Sequence, residues 1–120
     1  MNKKTLVLGA STNPERFSYQ AVRKLKFNSI PVVAVGFREG DIFGVMVEKP
    51  FPKYEGIHTV TLYIGPRNLA SFYDYILSLK PRRVIFNPGT ENPEFAAMLK
   101  AADIEIVHAC TLIMLTNGLY

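Results

Sequence analysis

Leu6–Ser18, read L-V-L-G-A-S-T-N-P-E-R-F-S, is the stretch on which the fold turns. The apolar run Leu6, Val7 and Leu8 stops at Gly9, passes through small and turn-forming residues, and reaches Arg16 just before a helical pattern begins. That is a strand, a loop and a helix start. Backbone N–H groups in the first turn of a helix lack intrahelical partners, and the helix dipole is positive there, so such a junction favours an anion. Arg16 adds a fixed cation whose planar fork suits phosphate oxygens.

Outward from this stretch, strands and helices alternate. Thr5–Leu8 reads as a strand buried on both faces of a parallel sheet. Ser18 is expected to cap a helix carrying Tyr19, Ala21, Val22 and Leu25 on one side. Ile30–Val35 is a second strand, ended by Gly36; strand, helix and strand together have the length of a parallel crossover. From Gly36 to Gly56 glycines and prolines are frequent and Phe43, Val45 and Val47 alternate, which predicts a surface excursion with one short strand or hairpin.

Thr59–Ile64 is a third main strand. Gly65-Pro66 opens a helix with Leu69, Phe72, Tyr73, Ile76 and Leu77 as its apolar stripe, ending before Pro81. Arg83–Phe86 is a fourth strand, followed by the turn Asn87-Pro88-Gly89-Thr90. Asn92 caps, and Pro93 starts, a helix with Phe95, Leu99 and Ala102 on one face. Glu105–Val107 is a fifth strand leading to Cys110 and a short helix at Thr111–Leu115. The expected architecture is α/β, one Rossmann-like domain over residues 1–120. Its doubly wound sheet has about five mainly parallel strands with helices on both faces, and ligands sit beyond the strands' carboxyl ends.

The totals bound the function. With 120 residues, 48% hydrophobic and 20% charged, the chain is long enough for a sizeable core. No segment reads as a signal peptide and the apolar run Leu112–Leu115 is far too short for a membrane span, so the expected location is the cytoplasm. The net charge of +4 suits a phosphorylated ligand and equally an ordinary solvated surface. The basic residues are scattered, with Lys3-Lys4, Arg23-Lys24 and Arg82-Arg83 as the adjacent pairs, which argues against nucleic acid. A single cysteine excludes an internal disulfide and a cysteine-rich zinc site within one chain.

Of the three glycines of the dinucleotide fingerprint only Gly9 is present. Ala10, Ser11, Thr12, Asn13 and Pro14 fill the loop, with the hydroxyls of Ser11 and Thr12 and the amide of Asn13 as candidate donors; turn chemistry alone would also produce this pattern. After Val35 there is no acid for the ribose hydroxyls of NAD. Phe37 could lie against an adenine and Arg38 could meet an additional ribose phosphate, favouring coenzyme A or NADP over NAD. Arg38 beside Glu39 and Asp41 also fits a solvated charge cluster.

G-A-S-T-N-P-E-R at Gly9–Arg16 with Ser18-Tyr19, I-F-G at Ile42–Gly44, N-P-G-T-E-N at Asn87–Asn92, and Cys110 together resemble the small stand-alone CoA-binding proteins. These are Rossmann-type domains similar to the CoA-binding domain of succinyl-CoA synthetase and of ADP-forming acyl-CoA synthetases. The resemblance implies coenzyme A or an acyl-CoA as ligand, with Gly9, Ala10, Ser11, Asn13, Arg16, Ser18 and Tyr19 lining its phosphate end. The family usually has Asn-Pro where this chain has Gly36-Phe37, and often an Arg-Pro-like pair where Gly65-Pro66-Arg67 stands. These departures fall on the adenine and ribose contacts, not on the phosphate loop. Gly65, Arg67, Asn87, Gly89 and Cys110 complete the candidate contacts.

In the synthetases the chemistry depends on a phosphorylated histidine carried in a neighbouring domain. His58 reads here as a surface turn residue and His108 as a structural imidazole at a strand end. An extended chain puts His108 and Cys110 on one side, where the imidazole could favour a thiolate, although a buried small hydrophobe is the plainer reading of this cysteine. Glu91 and Glu94 flank a helix start, where negative charge stabilises without catalysis. The expectation is therefore a small-molecule binder without chemistry of its own. An NADP-linked or acyl-CoA-processing enzyme and a nucleotide-responsive regulatory module are the alternatives. A homodimer through a sheet edge or Leu112–Leu115 stays open.

Overall fold

The structure, a computed structural model, describes residues 2–120. Strand β1, Thr5–Leu8, has every residue buried. It therefore lies inside the sheet, paired in parallel with β2 (Val32–Val35) on one side and β5 (Thr59–Leu62) on the other. Beyond β5 follow β6 (Arg83–Phe86) and β7 (Glu105–His108), both parallel. Beyond β2 lies β4 (Val45–Glu48), parallel to it, and then β3 (Gly40–Ile42), antiparallel to β4.

The sheet thus has seven strands in the order β3-β4-β2-β1-β5-β6-β7, not about five. The two extra strands are the glycine-rich excursion, which extends the main sheet instead of lying apart on the surface. Ile42 pairs with Val45, so Phe43-Gly44 is a two-residue hairpin turn with both φ values positive, 49° and 86°. That backbone matches the twist of the flanking strands. Ile42 and Val47 are then fully buried, which fixes the hairpin to the core.

Helices cover both faces. On one, α2 (Pro66–Leu69), a 3-10 turn at Ala70–Phe72, α3 (Tyr73–Leu79) and α4 (Pro93–Ala101) pack Leu69, Phe72, Ile76, Phe95 and Leu99 onto Leu6, Leu8, Val60, Leu62, Val84 and Phe86. Phe95 stacks on Tyr73 with ring centroids 4.4 Å apart and meets the edge of Phe86; burying a side chain of this size contributes about 2–3 kcal/mol. The expected continuous helix after Pro66 is broken at Ala70–Phe72, and a left-handed Lys80 stops α3 before Pro81. On the other face, α1 (Phe17–Phe27) and α5 (Thr111–Thr116) lay Val22, Leu25 and Leu115 against Val7, Ala34 and Val47.

Caps explain two helix starts differently. Asn92 accepts from the Phe95 N–H at 3.1 Å and Pro93 follows, as the sequence predicts. α1 begins two residues earlier than a Ser18 cap would require. The Asn13–Arg16 turn, closed by the Arg16 N–H on the Asn13 carbonyl at 3.0 Å, delivers the chain into the helix at Phe17. Ser18 is consequently a buried residue of the first turn and Arg16 takes the cap position.

Polar side chains inside the sheet are bonded to one another. The Asn87 amide donates to Thr61 Oγ1 (2.7 Å) and to the Leu62 carbonyl (2.9 Å), while its oxygen accepts from the Thr111 N–H (2.9 Å). It ties β6, β5 and the start of α5 together. At the opposite ends of the strands, Arg83 Nε donates to Thr59 Oγ1 (2.8 Å), and the guanidinium lies 4.4 Å from the centroid of the Tyr120 ring. Arg83 Nη2 is buried without a hydrogen-bond partner. His58 Nδ1 shares Thr59 Oγ1 at 2.7 Å, so this imidazole is half-buried in a polar corner and not a plain surface turn residue.

Two predictions follow from these networks. Asn87→Ala leaves the Thr111 N–H and the Leu62 carbonyl short of a partner in a dry site and is expected to lower stability by about 2–3 kcal/mol in urea unfolding; a loss below about 0.5 kcal/mol contradicts the role given to the amide. His58 is held below its ordinary value of 6.5 by desolvation first, then by the charges of Arg83, Lys3 and Arg82. The unfolded chain thus binds this proton more readily. The stabilisation is complete above about pH 6.5 and is lost as pH falls through that value towards the lowered folded one. Thermal midpoints at about pH 7.5 and 5.5 should therefore separate more in the wild type than in His58→Gln, and equal separations would show that His58 does not contribute.

Candidate functional site

Because Leu8 is level with Val35 and Leu62, and Leu62 with Phe86, the loops after β1, β2, β5 and β6 leave the sheet at one height. The chain passes from β1 to β2 on one side and later to β5 on the other, so the order reverses beside β1. A cleft of about 920 Å³ lies there.

The loop after β1 is shaped by its own backbone. Gly9 has φ +95°, and a Cβ on it would stand 2.9 Å from the Tyr63 carbonyl oxygen. Only glycine fits this turn against β5 without displacing it. The N–H groups of Gly9 and Ala10 both donate to the Val35 carbonyl, at 2.8 and 3.0 Å. Gly36 lacks a Cβ where the Ala10 carbonyl crosses it, and Gly40 where Thr12 packs on the hairpin. Ser11 Oγ accepts from the Asn13 N–H (3.1 Å) and Asn13 Oδ1 from the Glu15 N–H (3.0 Å). The oxygens of these side chains thus hold the loop, leaving the Ser11 hydroxyl proton and the Asn13 amide protons for a ligand.

At the head of α1 no side chain caps the first-turn N–H groups of Phe17, Ser18 and Tyr19, and no acid occupies that turn. Donors and dipole therefore face the cleft together with Arg16.

Of the residues singled out from sequence, the cleft brings together Gly9, Ala10, Ser11, Thr12, Asn13, Arg16, Ser18, Phe37, Arg38, Gly65 and Gly89. Four lie outside its lining. Tyr19 packs towards Phe43, centroids 5.9 Å apart, and Arg67 is exposed on α2. Asn87 is the buried bridge described above. Cys110 is half-buried at the cap of α5. Among the described residues no hydrogen bond joins Cys110 to His108, whose ring is stacked on Phe86 at 5.2 Å.

The lining also includes Phe17, Tyr63, Ile64, Asn68, Pro88 and Thr90. Pro88 and Thr90 belong to the quoted N-P-G-T motif, and Asn68 lies one helical turn after Gly65. Tyr63 and Ile64 are hidden from a sequence reading because they look like more strand, whereas β5 ends at Leu62. The Tyr63 phenol is pushed up to about 12, chiefly by burial. Its hydroxyl has no hydrogen-bond partner, since the neighbouring Thr61 and Thr111 hydroxyls bond each other at 2.7 Å.

The only formally charged side chains in the lining are Arg16 and Arg38. At the far wall both oxygens of Glu91 accept from the Gly89 N–H, at 3.0 and 3.1 Å. Backbone N–H groups of Glu91 and Gly89 hold this carboxyl below the usual carboxylate range. Among the described residues no three His, Cys, Asp or Glu side chains converge as a metal site would need. Nor is any helix among the described residues long and apolar enough to cross a membrane.

No curated protein matches the chain. The crystal structure of an uncharacterized protein superposes with a TM-score of 0.97 at 48% identity, covering 100% of this chain and 99% of the other. A protein of Thermus thermophilus follows with a TM-score of 0.85 and 28% identity over 99% of this chain and 91% of its own. A hypothetical protein from Pyrococcus horikoshii OT3, at 21% identity, shares the fold with a TM-score of 0.86, covering 98% of this chain and 84% of that one. Residues 3–116 match the model of the family described as CoA binding domain. The match spans nearly the whole chain, from β1 to the last helix, and the protein accordingly belongs to the CoA-binding domain family.

Proposed function

We propose that the protein binds coenzyme A or an acyl-CoA in the cleft and carries out no chemistry of its own. The observation that carries this reading is the convergence of Arg16, the uncapped N–H groups of α1 and the loop Gly9–Asn13 on one wall. A pyrophosphate placed there meets a fixed cation, free main-chain donors and a favourable helix dipole at once. Phe37, 60% exposed at the end of β2, offers a flat apolar face to the base, and Arg38 beside it a fork for a ribose phosphate. Gly65, with Asn68 a turn later, lies along the path of the arm that follows the pyrophosphate.

Support for binding without catalysis comes from the lining itself. It contains no His, Cys, Lys, Asp or Glu, and its one phenol titrates far above neutrality. General acid–base work near neutral pH needs a group poised there. Arg38 is equally suited to the ribose phosphate of NADP, so an NADP-linked activity is the reading to be separated experimentally.

Calorimetry with coenzyme A, NADP, NAD and AMP makes that separation. Coenzyme A is expected to bind most tightly, and equal or undetectable binding of all four overturns the proposal. Arg16→Ala should weaken coenzyme A by more than about 1 kcal/mol, roughly five-fold or more, with the thermal midpoint unchanged because the side chain stands exposed at the helix cap. An unchanged affinity would remove Arg16 from the phosphate site.

A further inference from the structure

The cleft is electrically lopsided. Arg16 and Arg38 stand over the ends of β1 and β2, whereas the lining at the end of β6 is Pro88, Gly89 and Thr90, and the exposed Glu91 carboxylate stands just outside that lining, held on the Gly89 N–H. β2 and β6 are three strand positions apart in the sheet, about 14 Å at the usual spacing. That exceeds the screening length of about 8 Å at physiological salt, so the two ends act on a ligand independently. The hydrogen bonds that keep Glu91 ionised also fix its position, and the basic group facing it is the exposed His108.

A CoA thioester has the matching asymmetry, with its phosphates at the nucleotide end and its acyl group at the far end of a long neutral arm. We infer that Glu91 is a specificity-determining residue: it makes the β6 end of the cleft the acyl end, and it favours the free thiol or an uncharged acyl group over an acyl group ending in a carboxylate. The inference rests on the proposed binding of CoA. A carboxylate arriving at Gly89 finds the N–H that would receive it already taken, and taken by a like charge that cannot swing away without breaking two contacts. Partly screened repulsion at this exposed position is worth between about three- and ten-fold in affinity.

The test is calorimetry of coenzyme A, acetyl-CoA and succinyl-CoA on the wild type and on Glu91→Gln, whose amide oxygen still accepts from the Gly89 N–H. The wild type should bind coenzyme A and acetyl-CoA alike and succinyl-CoA about three- to ten-fold more weakly. The penalty should vanish in Glu91→Gln and shrink in the wild type at about 0.5 M salt. A wild type that binds all three equally, or a succinyl penalty that persists in the variant, overturns the role of Glu91 while leaving CoA binding intact. Failure of coenzyme A itself to bind overturns the proposed function and this inference together.

Discussion

Parallel strands buried on both faces have to end together, since a strand running past its neighbours would carry unpaired main-chain groups into the helical layers. In this protein the register meets that constraint with Leu8, Val35, Leu62 and Phe86 in one row. Everything that lines the cleft belongs to the loops leaving that row or to the first turns of the helices they lead into. The cleft is thus a consequence of sheet register at the point where the chain changes direction, and the loops supply only its chemistry.

The chemistry divides between side chains that shape the loops and those left over for a ligand. Ser11 and Asn13 satisfy main-chain donors of their own loop, and Thr12 packs on Gly40 of the hairpin. The hairpin is therefore coupled to the loop after β1 by direct contact, although β3 lies three strand positions from β1. The Arg16 side chain, by contrast, makes no hydrogen bond among the described residues, and it stands at an uncapped helix start. A cation that does no structural work beside open N–H donors has its chemistry available for an anion.

Much of this was legible in the sequence, for identifiable reasons. Continuous apolar runs bounded by Gly and Pro placed β1 and β6 to the residue, and Asn92-Pro93 placed the start of α4. The short strand or hairpin expected between Gly36 and Gly56 is present, but that it joins the main sheet was not legible, because the pairing of β4 with β2 is a long-range contact and the Phe43-Gly44 turn puts a bulky residue at positive φ where Asn or Asp would advertise it. Ser18 looked like a cap because a serine before a helical stripe usually is one. The Asn13–Arg16 turn, a three-dimensional fact, starts the helix upstream of it, at Phe17. Tyr63 and Ile64 joined the cleft for a similar reason, since only the register shows that β5 stops at Leu62.

The N-P-G-T-E-N motif shows how one short stretch serves two ends. Its first residue, Asn87, points down into the sheet and bonds β5 and the start of α5. Its carbonyl accepts from both the N–H and the hydroxyl of Thr90, closing the turn. Gly89, at φ +92°, then faces up into the cleft and carries Glu91 on its N–H. A residue of such a motif need not touch a ligand to matter to it. Asn87 sets the height of the wall on which Gly89 and Glu91 stand, and any change there reaches the cleft through the backbone.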